Sequence, residues 1–130
     1  MKPLLFHFLL TGLSLSLYAQ KPDCKLIHEG KFRIVDSLSG ITIITRTKDF
    51  QVEENSGMGV KMIFDIKWID DCTYELRPKE VVKGDQALMG NKGDFMTTHV
   101  KEVKINSYIC VTTANFADFI KEWEVEMLKQ

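Results

Sequence analysis

After its first nineteen residues the chain has no second long apolar run, and it has no surplus of charge of either sign. The first absence excludes a membrane-spanning helix in the remainder. The second argues against nucleic acid as a main partner, because phosphate counterions are displaced by a basic face. It also argues against a polybasic membrane-surface binder. Histidine is scarce. Beyond residue 19 only His28 and His99 remain, with no Cys or His at ligand spacing, so no metal site is expected. Ser37, Ser39, Ser56 and Ser107 lie in turn-like contexts without a Gly-x-Ser-x-Gly elbow, so no serine nucleophile is expected. Gly57-Met58-Gly59 lacks the helix and lysine that complete a phosphate loop. No cofactor and no catalytic residue are expected, and the chain reads as a non-enzyme.

The N-terminus carries the clearest signal. Met1-Lys2-Pro3 precedes an apolar run from Leu4 to Leu17, and Tyr18-Ala19 supplies a small residue before the polar Gln20-Lys21-Pro22-Asp23. That is the layout of a secretory signal peptide over residues 1–19, cleaved near Ala19. Residues 20–130 then form one globular domain of 111 residues, with 16 basic and 18 acidic side chains and a net charge of −2. The expected location is secreted or periplasmic. There an oxidised cysteine pair is normal, and three cysteines leave one over. Cys24 lies in an otherwise unanchored segment, and Cys72 opens a strand on its core face. The expected disulfide is Cys24–Cys72, with Cys110 a small core residue in the strand Tyr108–Thr113.

Period-two patterns dominate the middle of the chain. Phe32 and Ile34 share a face, and Ile41 to Arg46 is a β-branched run. Met62, Phe64, Ile66 and Trp68 alternate with Ile63, Asp65 and Lys67, and Cys72, Tyr74 and Leu76 alternate with Thr73, Glu75 and Arg77. Pro78 marks a strand end or an edge. Lys83 to Thr97 is a long loop with three glycines. Asn106-Ser107 reads as a two-residue hairpin turn that sets Ile105 opposite Tyr108 and Val103 opposite Cys110. At the C-terminus Phe116, Phe119, Ile120, Trp123, Met127 and Leu128 recur at helical spacing behind an N-cap at Asn115, which predicts a docked helix over 116–128. The expected fold is mainly β within the α+β class: a curved antiparallel meander of six or seven strands, half-open, with a C-terminal amphipathic helix.

Cys24, Gly30-Lys31-Phe32, Ile44-Thr45-Arg46, Gln51-Val52-Glu53 and Trp68-Ile69-Asp70-Asp71-Cys72-Thr73-Tyr74-Glu75-Leu76 follow one another in order. In this the chain resembles a group of small secreted proteins of Bacteroidetes-type bacteria, of unknown function. Some members carry the label of a DNA topoisomerase IV subunit. An exported chain of net charge −2 without an ATP-binding loop does not suit that label. Gly30-Lys31-Phe32 also resembles the Gly-x-Trp that opens the first strand of calycin barrels, with Phe in place of Trp. That resemblance implies a lipocalin-like, ligand-binding barrel.

Arg46, Gln51 and Glu53 are the most pointed polar set. Gln51 and Glu53 share a face opposite Phe50 and Val52, and the expectation is that Phe50 and Val52 face the core. If the sheet curls into a barrel, the polar set instead lines a pocket, with Phe64, Trp68 and Tyr74 as an aromatic stripe beside it. The function expected is an exported binding or interaction module of the cell envelope, for a small apolar ligand or an envelope protein. The alternatives are a small envelope hydrolase and a structural envelope protein without a ligand.

Overall fold

The computed structural model describes residues 22–129. The expected signal peptide over residues 1–19 lies outside them. Eight antiparallel strands follow in chain order: β1 Gly30–Asp36, β2 Gly40–Arg46, β3 Phe50–Asn55, β4 Val60–Asp70, β5 Thr73–Lys83, β6 Met96–Val103, β7 Ser107–Ala114 and β8 Ile120–Leu128. Each pairs with the next, and β8 returns to β1, so the sheet closes into an up-and-down barrel. The expected six or seven strands and half-open sheet are thereby corrected. Three register shifts along the long β4–β5 pair supply the local twist that closing a sheet demands.

The C-terminal helix is also corrected. Residues 120–128 are a strand, in which Trp123, Val125 and Met127 point inward and alternate with Glu122, Glu124 and Glu126. Phe116, Phe119 and Ile120, which gave the stretch its helical look, are exposed. The alternation wins because β1 and β7 would otherwise keep bare edges. Asn115 caps no helix. Its Oδ1 accepts from Phe95 N–H at 2.8 Å, and its Nδ2 donates to the Gly93 carbonyl at 2.9 Å, pinning the long loop.

The other hairpin expectation shifts by a few residues. Val103 lies opposite Tyr108 and Val100 opposite Cys110, with an irregularity between Val100 and Glu102. Ser107 belongs to β7, the turn is Lys104 to Asn106, and Ile105 is 93% exposed. The loop expected over 83–97 is shorter: β5 runs to Lys83 and β6 begins at Met96, with a single 3-10 turn, Gln86–Met89, between them.

A meander barrel has two unlike ends. The β2–β3, β4–β5 and β6–β7 turns share one end with the chain's N-terminal segment. There a 3-10 turn, Cys24–Ile27, is tied by the Cys24–Cys72 disulfide to the β4–β5 turn. Ile27 is fully buried and plugs that end. Asp70 Oδ1 accepts from Cys72 N–H at 2.9 Å, fixing the turn that presents Cys72, and this bond holds the Asp70 carboxyl below its ordinary range. At the other end, Asp36 Oδ2 accepts from the Ser39 N–H and hydroxyl, and the chain turns through Gly40 at φ +83°, a conformation that side chains resist. Asn55 then spans two turns of that end, with Nδ2 donating to Ser39 O at 2.7 Å and Oδ1 accepting from Met58 N–H at 3.0 Å.

Candidate functional site

β2 and β3 carry the polar set into the barrel. Because β2 ends at the plugged end, Arg46 reaches under the plug. Arg46 and Gln51 face each other across the β2–β3 ladder, and both are buried. Arg46 Nε donates to Gln51 Oε1 at 2.8 Å, and one terminal nitrogen donates to the Ile27 carbonyl at 2.6 Å. The other donates to the hydroxyls of Tyr74 at 3.2 Å and Tyr108 at 3.1 Å. The guanidinium also lies 4.6 Å from the Phe32 ring and 4.8 Å from the Tyr74 ring. Gln51 Nε2 continues the chain to Glu53 Oε1 at 2.9 Å. The network is therefore a relay: plug carbonyl, Arg46, Gln51, Glu53.

Burial sets the electrostatics. It penalises the Arg46 cation, but Tyr74, Tyr108 and Glu53 more than offset this, and the guanidinium stays charged. Desolvation holds the Tyr74 and Tyr108 hydroxyls neutral, above the ordinary phenol range. It also raises the Glu53 carboxyl, against the opposing pull of Gln51 and Arg46. The Cys110 thiol is pushed up to about 12 by burial, so it is protonated and a poor nucleophile at neutral pH. Cys110 is the free cysteine, buried as a core residue.

Above this network the barrel is not filled. A cavity of about 160 Å³ lies between Ile44, Leu76, Trp123 and Val125, with Gln51, Tyr74 and Tyr108 toward its floor. The Thr98 and Thr112 hydroxyls on its wall bond each other at 2.9 Å. A second recess of about 240 Å³ lies toward the open end, between Asn55, Met58, Val60, Met62 and Leu88. Ser39, Thr42 and Glu53 line both, so Glu53 stands at the neck between them.

The wall beside the cavity is incomplete. β1 and β8 pair only where Lys31 to Arg33 meet Glu126 to Leu128. Toward the mouth they part, and Lys121 Nζ crosses the seam to Asp36 Oδ1 at 3.0 Å. That contact, first, and the two bonds from Ser39 hold the Asp36 carboxyl down to about 2. β5 and β6 likewise pair only from Thr73 to Leu76, and Pro78 lies just beyond that last pair, where β5 runs on without β6.

The residues singled out in the sequence divide between the two ends. Arg46, Gln51, Glu53 and Tyr74 come together in one hydrogen-bonded group. Phe50, expected inside, is 40% exposed, while Gln51 and Glu53 face the interior, which reverses the expected orientation of β3. Phe64 is buried in the core but does not line the cavity. Trp68 lies at the plugged end, with its ring stacked on His28 at 3.7 Å and tilted against Tyr74 at 4.7 Å. It faces an open cleft there with Lys25, His28, Glu29 and Lys48. His99 lies on the outer wall and bonds Thr73 Oγ1. Among the described residues no three His, Cys, Asp or Glu side chains gather into a metal-ligand set.

Sequence reasoning missed Thr98, Thr112 and Val125 as interior residues; it set Tyr108 on an apolar hairpin face and Trp123 on the buried face of a helix, and missed both as lining of the cavity. Tyr108, Cys110 and Thr112 do alternate along β7, and two threonines hydrogen-bonded across neighbouring strands mark an inward polar position. Among the described residues no helix is long and apolar enough to cross a membrane. The chain matches no protein-family model, no curated protein and no solved structure.

Proposed function

We propose that this protein is an exported, non-enzymatic binding module of the cell envelope that holds a small, largely apolar ligand inside a lipocalin-like barrel. The observation that carries this reading is the interior cavity of about 160 Å³, closed at one end by a disulfide-tied plug and bordered at the other by a recess that shares Ser39, Thr42 and Glu53 with it. Such a space, walled by Ile44, Leu76, Trp123 and Val125 with a few fixed polar groups, has the make-up of a ligand site. Eight-stranded up-and-down barrels hold one small ligand in this place. The disulfide suits an oxidising compartment, which agrees with export through the N-terminal leader over residues 1–19.

A second reading has its own observation. Leu38, Met58 and Phe116 on the turns around the mouth, and Ile120 at the start of β8, are exposed. A rim of this kind suits an interaction with an envelope protein at the open end. Native mass spectrometry of protein isolated from its own envelope separates the two. A co-purified small molecule of roughly a hundred daltons, about the size that fits the cavity, is expected from binding. A stoichiometric protein partner with no small molecule would favour the second reading. N-terminal sequencing of the exported protein, expected to begin near Gln20, tests the leader.

A further inference from the structure

The neck of the cavity presents a single carboxyl group, that of Glu53. Glu53 Oε1 accepts from Gln51, and among the described residues Oε2 has no hydrogen-bond or ion-pair partner. No lysine, arginine or histidine lines the inner cavity or the mouth recess. Of the nearby cations, Arg46 is sealed behind Gln51, Tyr74 and Tyr108 with its donors committed to them and to Ile27, and Lys121, over the Trp123 ring, is paired with Asp36. The wall hydroxyls Thr98 and Thr112 are turned to each other. A ligand entering this space therefore meets apolar walls and one carboxylate with acceptor capacity to spare.

We propose that the ligand is a small organic amine, seated with its ammonium on Glu53 at the neck and its apolar body in the inner cavity. The assignment rests on the binding-module reading above and names the class of ligand. A charge-assisted hydrogen bond between ammonium and carboxylate gains strength away from bulk water. An anionic head, such as that of a fatty acid, meets like charge at the same point. Size follows from volume: a dry cavity of about 150 Å³ accommodates benzene, so the body has about six to eight heavy atoms. Ser39 and Thr42, beside Glu53 on both sides of the neck, offer further acceptors to the ammonium protons. No covalent bond is made or broken; the ammonium form of the amine pairs with the ionised form of Glu53, whose carboxyl burial holds above its ordinary range.

The test is calorimetric titration of the mature, disulfide-bonded protein with benzylamine, benzyl alcohol, benzoate and toluene at neutral pH. Benzylamine is expected to bind at least about tenfold tighter than benzyl alcohol, the worth of a hydrogen bond to a charged group, and benzoate weakest. Amine affinity should climb as pH rises through the titration of Glu53 and fall again above the amine's own pKa. Glu53→Gln should remove the preference for amine over alcohol together with the rise of affinity with pH. Glu54→Gln, on the outer wall beside Lys61, should change neither. A thermal melt of each variant shows that it is folded. Equal affinity for amine and alcohol, or a preference for benzoate, overturns the amine assignment and leaves the binding module standing. So does an amine preference that survives Glu53→Gln. If toluene binds but benzylamine does not, the amine assignment again fails alone. If none of the four enters, the binding-module reading fails with it.

Discussion

At the plugged end, Arg46 engages a backbone carbonyl, an amide and two phenols, Ile27 and Tyr108 are fully buried, and a disulfide fastens the covering turn. At the mouth, the β1–β8 ladder has parted, β5 has outrun β6, and Leu38 is 94% exposed. The same eight strands build both. What differs is the density of hydrogen bonds around one buried cation, although Trp68 Nε1 at the plugged end is itself buried without a partner. A buried arginine is tolerable only when its donors are met, and meeting them orders every side chain around it. The mouth has no such requirement, and its interior volume is left over. Rigidity at one end is what allows the other to stay open without loss of the fold.

The sharpest way to break this contrast is to remove its centre. Arg46→Ala strands Gln51, Tyr74, Tyr108 and the Ile27 carbonyl without their shared donor and leaves Glu53 without its countercharge. A loss of roughly 3–5 kcal/mol is expected in urea unfolding, a large share of the roughly 5–15 kcal/mol of an ordinary domain. A loss below about 1 kcal/mol would show that the plugged end is not the stabilising one. Replacing Cys24 and Cys72 together by serine opens a loop of 48 residues' separation. In the chain-entropy model this costs about 4 kcal/mol, and amide exchange should quicken first in β4–β5 beside the freed plug.

Smaller effects are expected at the mouth. Trp123 is half-buried and borders empty space, so Trp123→Ala should cost about 1–2 kcal/mol, against about 3–5 for Phe32→Ala under the plug. Equal costs would erase the distinction between the ends. The smallest effect belongs to Glu53. Its pKa is raised in the folded chain by burial, so ionisation works against folding. Its contribution is most favourable below the ordinary glutamate pKa of 4.5 and is lost as pH rises through the folded value. Glu53→Gln should therefore raise the melting temperature at pH 7, with the gain fading toward pH 4. A gain that grows on acidification would contradict this sign.

Much of the wall was legible in the sequence, because period-two alternation in β4 and β5 records one face on the interior and one on water. The disulfide followed from compartment and placement. Two things were not legible. Residues 116–128 satisfy a helical spacing and a strand alternation at once, and only the bare edges of β7 and of β1, the latter far away in sequence, decide between them. In β3, the choice between Gln51 with Glu53 and Phe50 with Val52 depends on Arg46 already lying inside. A buried cation reverses the usual preference by giving inward polar side chains partners. Local hydrophobicity therefore pointed the wrong way at the residues that form the candidate site.

The two tryptophans sit one at each end, Trp68 under His28 at the plug and Trp123 on the cavity wall. Fluorine NMR of protein labelled with fluorotryptophan thus reads both ends in one spectrum, with the resonances assigned by Trp68→Phe and Trp123→Phe. On titration with toluene, the Trp123 resonance should shift saturably while that of Trp68 stays in place. A shift confined to Trp68, or no shift in either, would contradict the account of a plugged barrel with a cavity open at its mouth.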